Sequence, residues 1–414
     1  QEYQGIPTSY GSQALKKINY TPDFNAEIVN RWEQTGIITF GRTNTPEFGI
    51  KGITEPDAWG ACHNPWNLKH NSGGSSGGSG SAVAGGIVPI AGAGDGGGSI
   101  RIPASYCGLF GLKPSRGRTP WGPQYSEAMH GAAMQHVLCK TVRDSAAMLD
   151  AVQGPEQTSL FRIEAPEKKY LDIIQQAPRK LKIAFNTQSP IGTKVSKDAI
   201  QAVQQTAQLL ESLGHIVVED RPKIDGLALG KDFVTTWFSQ FSYMQAQIKQ
   251  MAGATDHDFE LDSIAFAAFG AKTTATEYIH TLNNWGLYST QMNIFFEKYD
   301  ESGQYWKTIS YQENQNSELI SDKTSKSFLT FTIKGIIDTI IDEYDDGGKL
   351  HITFEGTDDE FQEILHLIED GNYKSIEVEK GSQFLENARD ILPNVIEIFN
   401  KTVKIIPEEL SNDS

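Results

Sequence analysis

The sequence is poor in cysteine and short of positive charge. It has three cysteines among 414 residues, Cys62, Cys107 and Cys139, too few and too scattered for a disulfide framework. They suit a reducing compartment, so we expect a cytoplasmic protein, although a start at Gln1 leaves room for a removed signal. Lys and Arg number 36 against 52 Asp and Glu, a formal net charge of −16. Because nucleic acids and anionic membranes bind clustered positive charge, this balance argues against both partners.

Long apolar runs and common ligand motifs are missing too. The longest apolar run, residues 81–94, is shorter than a membrane span and is interrupted by glycine. No Gly-Lys-Ser/Thr follows the glycines, which excludes a phosphate loop. Residues 92–97 match G-x-G-x-x-G, but Pro103 should prevent the helix that a dinucleotide site requires, and no acid follows about 20 residues later. Cys62-His63 with His70 lacks a second metal-binding pair. We therefore expect no cofactor and no metal.

The sequence does contain two clusters of glycine and serine. One is Asn-Ser-Gly-Gly-Ser-Ser-Gly-Gly-Ser-Gly at 71–80, and the other is Asp-Gly-Gly-Gly-Ser-Ile-Arg-Ile-Pro-Ala at 95–104. Such runs are often flexible linkers. The two clusters, however, are joined by an apolar segment and continue into further apolar residues. This pattern favours a buried, tightly turned site in which no side chains cover the backbone N–H groups.

The surrounding periodicity predicts alternating helices and strands. Thr21-Pro22 should begin a helix that ends at Gly36, and residues 37–40 should form a strand. A helix is expected over 141–152. Residues 181–185 and 215–218 should be parallel strands joined by a helix over 196–213. Residues 226–300 should be mostly helical, with aromatic side chains that we interpret as ordinary core packing.

The composition changes near residue 301. Residues 312–327 are polar, and the chain beyond them has the pattern of a small acidic α/β module without a chemical motif. A helix over 336–344 and strands at 350–354 and 375–378 are predicted, with a capping box at 357–360. The simplest interpretation of its carboxylates is a solvated face.

Ser99 is the candidate nucleophile. A serine nucleophile needs a base for its proton and donors for the developing oxyanion. Gly96, Gly97 and Gly98 can turn successive N–H groups inward without steric cost. Ser75 and Ser76, in the other cluster, could supply a hydroxyl relay. The alternative is a purely structural glycine turn.

These clusters, with Gly-Leu-Phe-Gly-Leu-Lys-Pro-Ser-Arg-Gly-Arg at 108–118, resemble the amidase signature family. Gly-Arg-Thr-Asn-Thr-Pro-Glu-Phe at 41–48 and Val-Arg-Asp-Ser-Ala-Ala-Met-Leu-Asp at 142–150 extend the resemblance, which covers about residues 3–300 and is closest to bacterial amidases. It implies an α/β fold, an α/β/α sandwich with a mixed central sheet, incomplete here, followed by the small C-terminal α/β module.

The resemblance also implies the roles of the site residues. The family hydrolyses carboxamide C–N bonds of small molecules with a Ser–cis-Ser–Lys triad and no cofactor. Ser99 matches the nucleophile, Ser75 matches the cis serine, and the backbone of Gly96 to Ser99 matches the oxyanion hole. Asp95 and Arg101 should hold the loop, although a structural ion pair or capping explains them equally well.

Two departures from the family pattern affect the expected activity. The triad lysine belongs to a Gly-x-Pro…Lys-Asp segment that the family places before the residues matching Gly5-Ile-Pro-Thr, and no lysine here occupies that motif. The family's C-terminal region should follow Asp300 but does not. We therefore expect a core over 1–300 that lacks both ends, with impaired amidase activity. The alternative is a non-catalytic remnant whose module at 301–414 binds a protein partner. The oligomeric state and the particular amide stay open.

Overall fold

A computed structural model describes residues 1–299, 353–354 and 403–404. The chain divides into two compact units, one comprising Gln1–Glu260 and Phe269–Glu318 and the other Leu261–Ala268 and Leu319–Ser414. No helix within the described ranges is long and apolar enough to cross a membrane. The predicted elements after residue 300 lie outside the described residues, apart from Thr353–Phe354, which form a short strand within the strand predicted at 350–354. The predicted domain boundary near residue 301 stays a prediction.

Helices occur throughout residues 1–299. Short 3₁₀ turns occur at Glu47–Gly49, Met129–Gly131 and Asp256–Asp258. The α-helices are α1 Gln13–Lys17, α2 Glu27–Gln34, α3 Gly77–Ala84, α4 Arg101–Cys107, α5 Val142–Val152, α6 Tyr170–Ile173, α7 Lys197–Ser212, α8 Gly226–Ala252, α9 Leu261–Lys272 and α10 Ala275–Phe296.

The strands form small sheets. They are β1 His63–Asn64, β2 Asn67–Asn71, β3 Ile90–Asp95, β4 Phe110–Gly111, β5 Met134–Cys139, β6 Lys182–Phe185, β7 Ile216–Glu219, β8 Thr353–Phe354 and β9 Val403–Lys404. Strands β1 and β2 form an antiparallel pair, as do β8 and β9.

The sheet that positions the site has the order β3-β5-β4, with β5 in the middle and both pairings antiparallel. Every residue of β5 is buried. In β3, Ile90 is opposite Cys139 and Asp95 is opposite Met134. Because β3 is part of this buried sheet, the loop that begins at its last residue, Asp95, starts from a fixed point.

Helices α2 and α5 pack on this sheet through an apolar core. Ile28 and Val29 of α2, Val152 of α5 and Val137 of β5 are almost completely buried in one cluster with Trp32. Full burial of an aliphatic side chain stabilises the fold by about 1.5–3 kcal/mol. The predicted helix over 141–152 is confirmed, with Thr141 accepting a hydrogen bond from the Asp144 N–H as the N-cap.

The predicted strand–helix–strand unit is also confirmed. Strands β6 and β7 pair in parallel, with Lys182 opposite Ile216, and α7 lies between them in the chain. Ser196 caps α7 by accepting the Ala199 N–H. Parallel and antiparallel pairings thus both occur among the described residues, in separate small sheets.

Two predictions for the N-terminal region are wrong. Helix α2 has Ala26 as its N-cap, five residues after Thr21. The preceding segment is not helical because tertiary hydrogen bonds hold the turn, with the Ala26 N–H donating to the Glu2 carbonyl and the Glu27 N–H to the Gly122 carbonyl. Residues 37–40 form no strand, and Ile38 is 85% exposed. An apolar run without a pairing partner or a covering layer does not become a buried strand.

Arg31 joins α2 to the end of α5. Its Nη1 donates to the carbonyls of Val152, Gln153 and Gly154 at 2.8, 3.1 and 2.8 Å, and its Nη2 donates to that of Pro155 at 3.1 Å. The last carbonyls of a helix have no partner within the helix. The planar guanidinium of Arg31 therefore supplies donors to all four carbonyls. A lysine ammonium, which is a compact point charge, cannot reach all of them at once.

We expect Arg31→Lys to lower the free energy of unfolding by about 1–2 kcal/mol, because several carbonyls lose their donor. Urea unfolding followed by circular dichroism measures the change. Arg143→Lys, at an exposed position in the first turn of α5, is the matched control and should have almost no effect. Equal midpoints for the two variants would contradict the role of Arg31.

Candidate active site

The two Gly/Ser clusters meet directly. The Ser76 N–H donates to the Ser99 carbonyl at 3.2 Å. The Ser76 hydroxyl lies between the backbone groups of Gly94, 3.4 Å from the carbonyl and 3.3 Å from the N–H. Both Ser76 and Ser99 are buried. Ser76 therefore joins the first cluster to β3 and the Ser99 loop, so the clusters are parts of one buried site and not flexible linkers.

Close backbone contacts explain why the first cluster consists of small residues. The peptide bond between Gly74 and Ser75 is cis. A Cβ on Gly74 would lie 2.7 Å from the Ile53 backbone, and one on Gly78 would lie 2.2 Å from the Asn44 nitrogen. Real Cβ atoms do not approach other atoms so closely, so both glycines are required by packing and not only by the turn.

Thr54 holds the turn around Ser75 and was not found from the sequence. It is fully buried, and its hydroxyl donates to the Gly73 carbonyl at 2.9 Å while accepting the Gly77 N–H at 3.2 Å. The Ser75 hydroxyl itself faces Gly49, on which a Cβ would lie 3.2 Å from Ser75 Oγ. A single polar residue 19 positions before Gly73 carries no sequence signal, because its role depends entirely on the folded chain.

The nucleophile loop is organised by Asp95. One carboxylate oxygen accepts the Gly98 N–H at 2.8 Å, and the other accepts the Ile100 N–H at 3.2 Å. Arg101 donates to both oxygens, from Nε at 2.9 Å and from Nη2 at 3.0 Å. Asp95 is 2% exposed. The structure thus brings Asp95 and Arg101 together as an ion pair beside Ser99.

These contacts decide the ionisation of Asp95. Burial by itself would raise the pKa of the carboxyl, but the Arg101 guanidinium and the Ile100 N–H favour the charged form more strongly, and the pKa falls below its usual range. The loop is therefore held by a carboxylate, whose hydrogen bonds are stronger than those of a neutral acid.

The N–H groups of the nucleophile loop differ in their hydrogen-bond partners. The Gly98 N–H is already donated to Asp95, so it is not available to a ligand. Within the described chain, the N–H groups of Gly96, Gly97 and Ser99 make no backbone hydrogen bond. Three consecutive glycines had suggested three equivalent donors, but the Asp95 carboxylate takes one of them.

Aromatic and sulfur-containing side chains cover this loop. A Cβ on Gly96 would lie 2.9 Å from the Trp237 ring and 3.2 Å from the Met129 sulfur. One on Gly97 would lie 3.1 Å from the Phe233 ring. The aromatic residues of 226–300 are therefore not only core packing, since part of α8 lines the site. Helical spacing alone cannot distinguish these two roles.

The residues that follow the G-x-G-x-x-G match at 92–97 are helical, contrary to the expectation from Pro103. A helix does follow, α4 Arg101–Cys107, and Pro103 lies in its first turn, where its missing N–H is tolerated. The expectation that Pro103 would prevent a helix is wrong.

No group of three or more potential metal ligands occurs among residues with a described position. Cys62, Cys107 and Cys139 are free thiols.

The sequence matches the family described as Amidase over residues 1–314. The 6-aminohexanoate-cyclic-dimer hydrolase of Pseudomonas sp. (strain NK87) is 39% identical over 236 residues, covering 56% of this chain and 48% of the relative. The putative amidase AmiB2 of Mycobacterium tuberculosis (strain ATCC 25618 / H37Rv) is 40% identical over 220 residues, covering 53% and 45%. The chain spans about half the length of these curated relatives.

Solved structures show the same fold. A 6-aminohexanoate cyclic dimer hydrolase complexed with substrate superposes with a TM-score of 0.68 at 33% identity, covering 72% of this chain and 63% of that chain. A bacterial aryl acylamidase of the amidase signature family gives a TM-score of 0.66 at 25% identity, covering 72% and 62%. The predicted α/β fold of the amidase signature type is confirmed.

We expect Asp95→Asn to lower the free energy of unfolding at pH 7 by about 2–4 kcal/mol, because it removes a buried ion pair and weakens the bonds to the loop amides. The pKa of Asp95 is lowered by folding, so its contribution is complete above the ordinary value of about 3.9 and is lost as the pH falls below it. Urea titrations between pH 7 and pH 3.5 should show a constant difference from the native protein down to about pH 5, then a shrinking one.

The control for this titration is Asp23→Asn, at an exposed position, which should follow the native protein throughout. A difference between the Asp95 variant and the native protein that grows in acid would contradict the assigned ionisation.

Proposed function

The chain belongs to the amidase family, and on that premise we propose that it cleaves carboxamide C–N bonds through an acyl-enzyme on Ser99. The observation that carries the proposal is the loop around Ser99. The N–H groups of Ser99, Gly96 and Gly97 make no backbone hydrogen bond among the described residues. The loop is fixed by the buried Asp95 carboxylate. A nucleophile beside unused amide donors is the arrangement that acyl transfer requires.

In the proposed reaction, Ser99 Oγ attacks the carbonyl carbon of the amide and forms a C–O bond. The carbonyl π electrons move to the oxygen, and the unused N–H groups of Gly96, Gly97 and Ser99 stabilise the resulting oxyanion. Collapse of this intermediate breaks the C–N bond, and the leaving amine takes up a proton. Water then hydrolyses the acyl ester on Ser99 and releases the carboxylic acid.

Ser75 is the proposed relay for the proton of Ser99. A hydroxyl can accept a proton while donating its own, so it can pass one onward without a lasting charge. The position of Ser75 supports this role, because the next residue, Ser76, donates its N–H to the Ser99 carbonyl. Thr54, which bonds Gly73 and Gly77 on either side, keeps the turn in place.

The proposed reaction also needs a base that finally accepts the proton, and no described residue is assigned to this role. No lysine of the described residues makes a hydrogen bond to the Ser75 or Ser99 hydroxyl. Lys113 has a pKa lowered by burial, but its Nζ donates to the Pro114 carbonyl at 3.2 Å. Since groups of a triad act as a unit, loss of one can remove most of the rate enhancement. We therefore propose that residues 1–414 on their own turn over amides weakly.

The nucleophile is tested by covalent labelling with a fluorophosphonate. We expect slow labelling of the native chain and none of Ser99→Ala. Ser75→Ala should be labelled only slightly more slowly than the native chain, because the groups of the triad act as a unit and the base is already lacking. Ser81→Ala is the matched control, since Ser81 bonds the His63 carbonyl and takes no part in the proposed reaction. Undiminished labelling of Ser99→Ala would overturn the proposal.

The missing base is tested by adding a small primary amine. We expect methylamine to accelerate the first release of nitroaniline from an acyl p-nitroanilide, in proportion to the free-base concentration, because the amine replaces the base. The first turnover reports acylation only, so attack of the amine on the acyl-enzyme does not affect it. Ser99→Ala should show no acceleration. Rapid turnover without added amine, abolished by Ser99→Ala, would contradict the impairment but not the nucleophile.

A further inference from the structure

Asp232 is a buried carboxylate of α8 that is bound by neutral groups alone. Its residue is 7% exposed. Three side chains of α10 donate hydrogen bonds to its two oxygens, namely the Tyr288 hydroxyl at 2.7 Å, the Asn284 amide nitrogen at 3.0 Å and the Thr281 hydroxyl at 3.3 Å. The ion pairs of the described residues do not include Asp232. Because a charge buried without an opposite charge is costly, stability alone does not explain this carboxylate.

The donors to Asp232 extend over two turns of α10. Thr281, Asn284 and Tyr288 are separated by three and four residues, so they lie on one face of the helix. At about 1.5 Å per residue, the step from Thr281 to Tyr288 corresponds to about 10 Å of helix. An ionised carboxylate only accepts hydrogen bonds, so the direction of all three bonds is determined. Asp232 therefore fixes where α8 lies along α10 and how α8 is rotated about its own axis.

The rotation of α8 matters because the residue after Asp232 begins an aromatic face. This aromatic face consists of Phe233 and Trp237, which are four residues apart on the same side of the helix and whose rings stack at 5.2 Å. A Cβ on Gly97 would lie 3.1 Å from the Phe233 ring, and one on Gly96 would lie 2.9 Å from the Trp237 ring. Successive residues of a helix point about 100° apart. When Asp232 is bound to α10, the aromatic face is therefore turned to the nucleophile loop.

Gly96 and Gly97 need such a support. Glycine has more backbone freedom than any other residue, and these two carry N–H groups that the proposed reaction uses for the oxyanion. Asp95 holds the loop through the N–H groups of Gly98 and Ile100, but it makes no hydrogen bond to Gly96 or Gly97. The rings of the aromatic face pack on both glycines. The part of the loop that Asp95 does not hold is thus restrained by α8.

We propose that Asp232 is a positioning residue of the proposed reaction. By fixing α8 on α10, it holds the aromatic face against Gly96 and Gly97 and keeps their N–H groups in place for the oxyanion. Asp232 makes no hydrogen bond to the nucleophile loop and acts on it only through α8. This inference rests on the proposed function, because it assigns Asp232 a part in stabilising the intermediate on Ser99.

A carboxylate that only stabilised the pair of helices would behave differently. Its loss would lower the unfolding temperature, but the folded protein would react at the native rate. A positioning residue also changes the reaction of the folded protein, since a displacement of about 1 Å at a reacting group can slow a reaction by about 10²-fold. If Asp232 acts through Trp237, its effect should also disappear once the indole is removed.

The test measures the labelling of Ser99 by a fluorophosphonate at several concentrations, which separates the limiting rate kinact from the binding constant KI of the probe. We expect Asp232→Asn to lower kinact about tenfold and to leave KI within about twofold, because the amide turns an N–H toward the donors of α10 and displaces α8. Tyr288→Phe removes only the shortest hydrogen bond and should lower kinact about threefold. Tyr243→Phe, at a 68% exposed position on α8, is the matched control and should react like the native chain.

Two further measurements test the route through the aromatic face. Trp237→Ala alone should lower kinact, and the addition of Asp232→Asn should lower it by no more than about a further twofold. Hydrogen exchange on a peptide covering residues 94–100 is independent of labelling, and the amides of this peptide should exchange faster in Asp232→Asn than in the native chain. Circular dichroism checks that each variant is folded at the assay temperature, and Tyr288→Phe decides the question if Asp232→Asn does not fold.

The outcomes separate this proposal from the proposed function. A native kinact in the folded variants of Asp232 and Tyr288 would overturn the positioning role, and so would fully multiplicative losses in the double variant or exchange changes confined to α8 and α10. If Ser99 is labelled in these cases, the proposed function stands. If Ser99 of the native chain is not labelled, the proposed function fails. Faster exchange of the 94–100 peptide in Asp232→Asn would then still support its hold on the loop, and unchanged exchange would overturn it.

Discussion

The buried carboxylate of Asp95 is the interaction on which the site depends. It ends β3, the edge strand whose partner β5 is entirely buried, and it collects the N–H groups of Gly98 and Ile100 with the Arg101 guanidinium. An uncompensated charge in this place would be costly, but this carboxylate accepts five hydrogen bonds, of which the longest, at 3.4 Å, comes from the Arg101 backbone N–H. The carboxylate also takes the Gly98 N–H, whereas the N–H groups of Gly96, Gly97 and Ser99 have no backbone partner among the described residues.

Close packing of backbone is the second constraint, and it determines the composition of the Gly/Ser clusters. Gly74 and Gly78 lie where the chain at Ile53 and Asn44 passes too closely for a side chain. The same closeness allows Ser76 to bond both Gly94 and Ser99. Residues that look like a linker in the sequence are therefore among the most buried in the structure.

Much of the fold could be predicted where the information is local. The helix over 141–152, helix α7 and the short strands on either side of α7 were predictable because their signals lie within a few residues. Residues 37–40 were not, because an apolar run becomes a strand only if a partner is present. The resemblance to amidases identified Ser75 and Ser99, but their catalytic roles stay predictions. Thr54, Met129 and Trp237 reach the site from distant parts of the chain, so a single sequence could not indicate them.

The proposed reaction depends on Ser99 Oγ as the atom that carries the acyl group. The most direct measurement is to mix the protein with an activated acyl ester, quench in acid within the first turnover, and locate the added mass by peptide mass spectrometry. We expect the acyl mass on the peptide that contains Ser99, at Ser99 itself. An acyl group on another residue, or hydrolysis of the ester with no acylated peptide at any time, would contradict it.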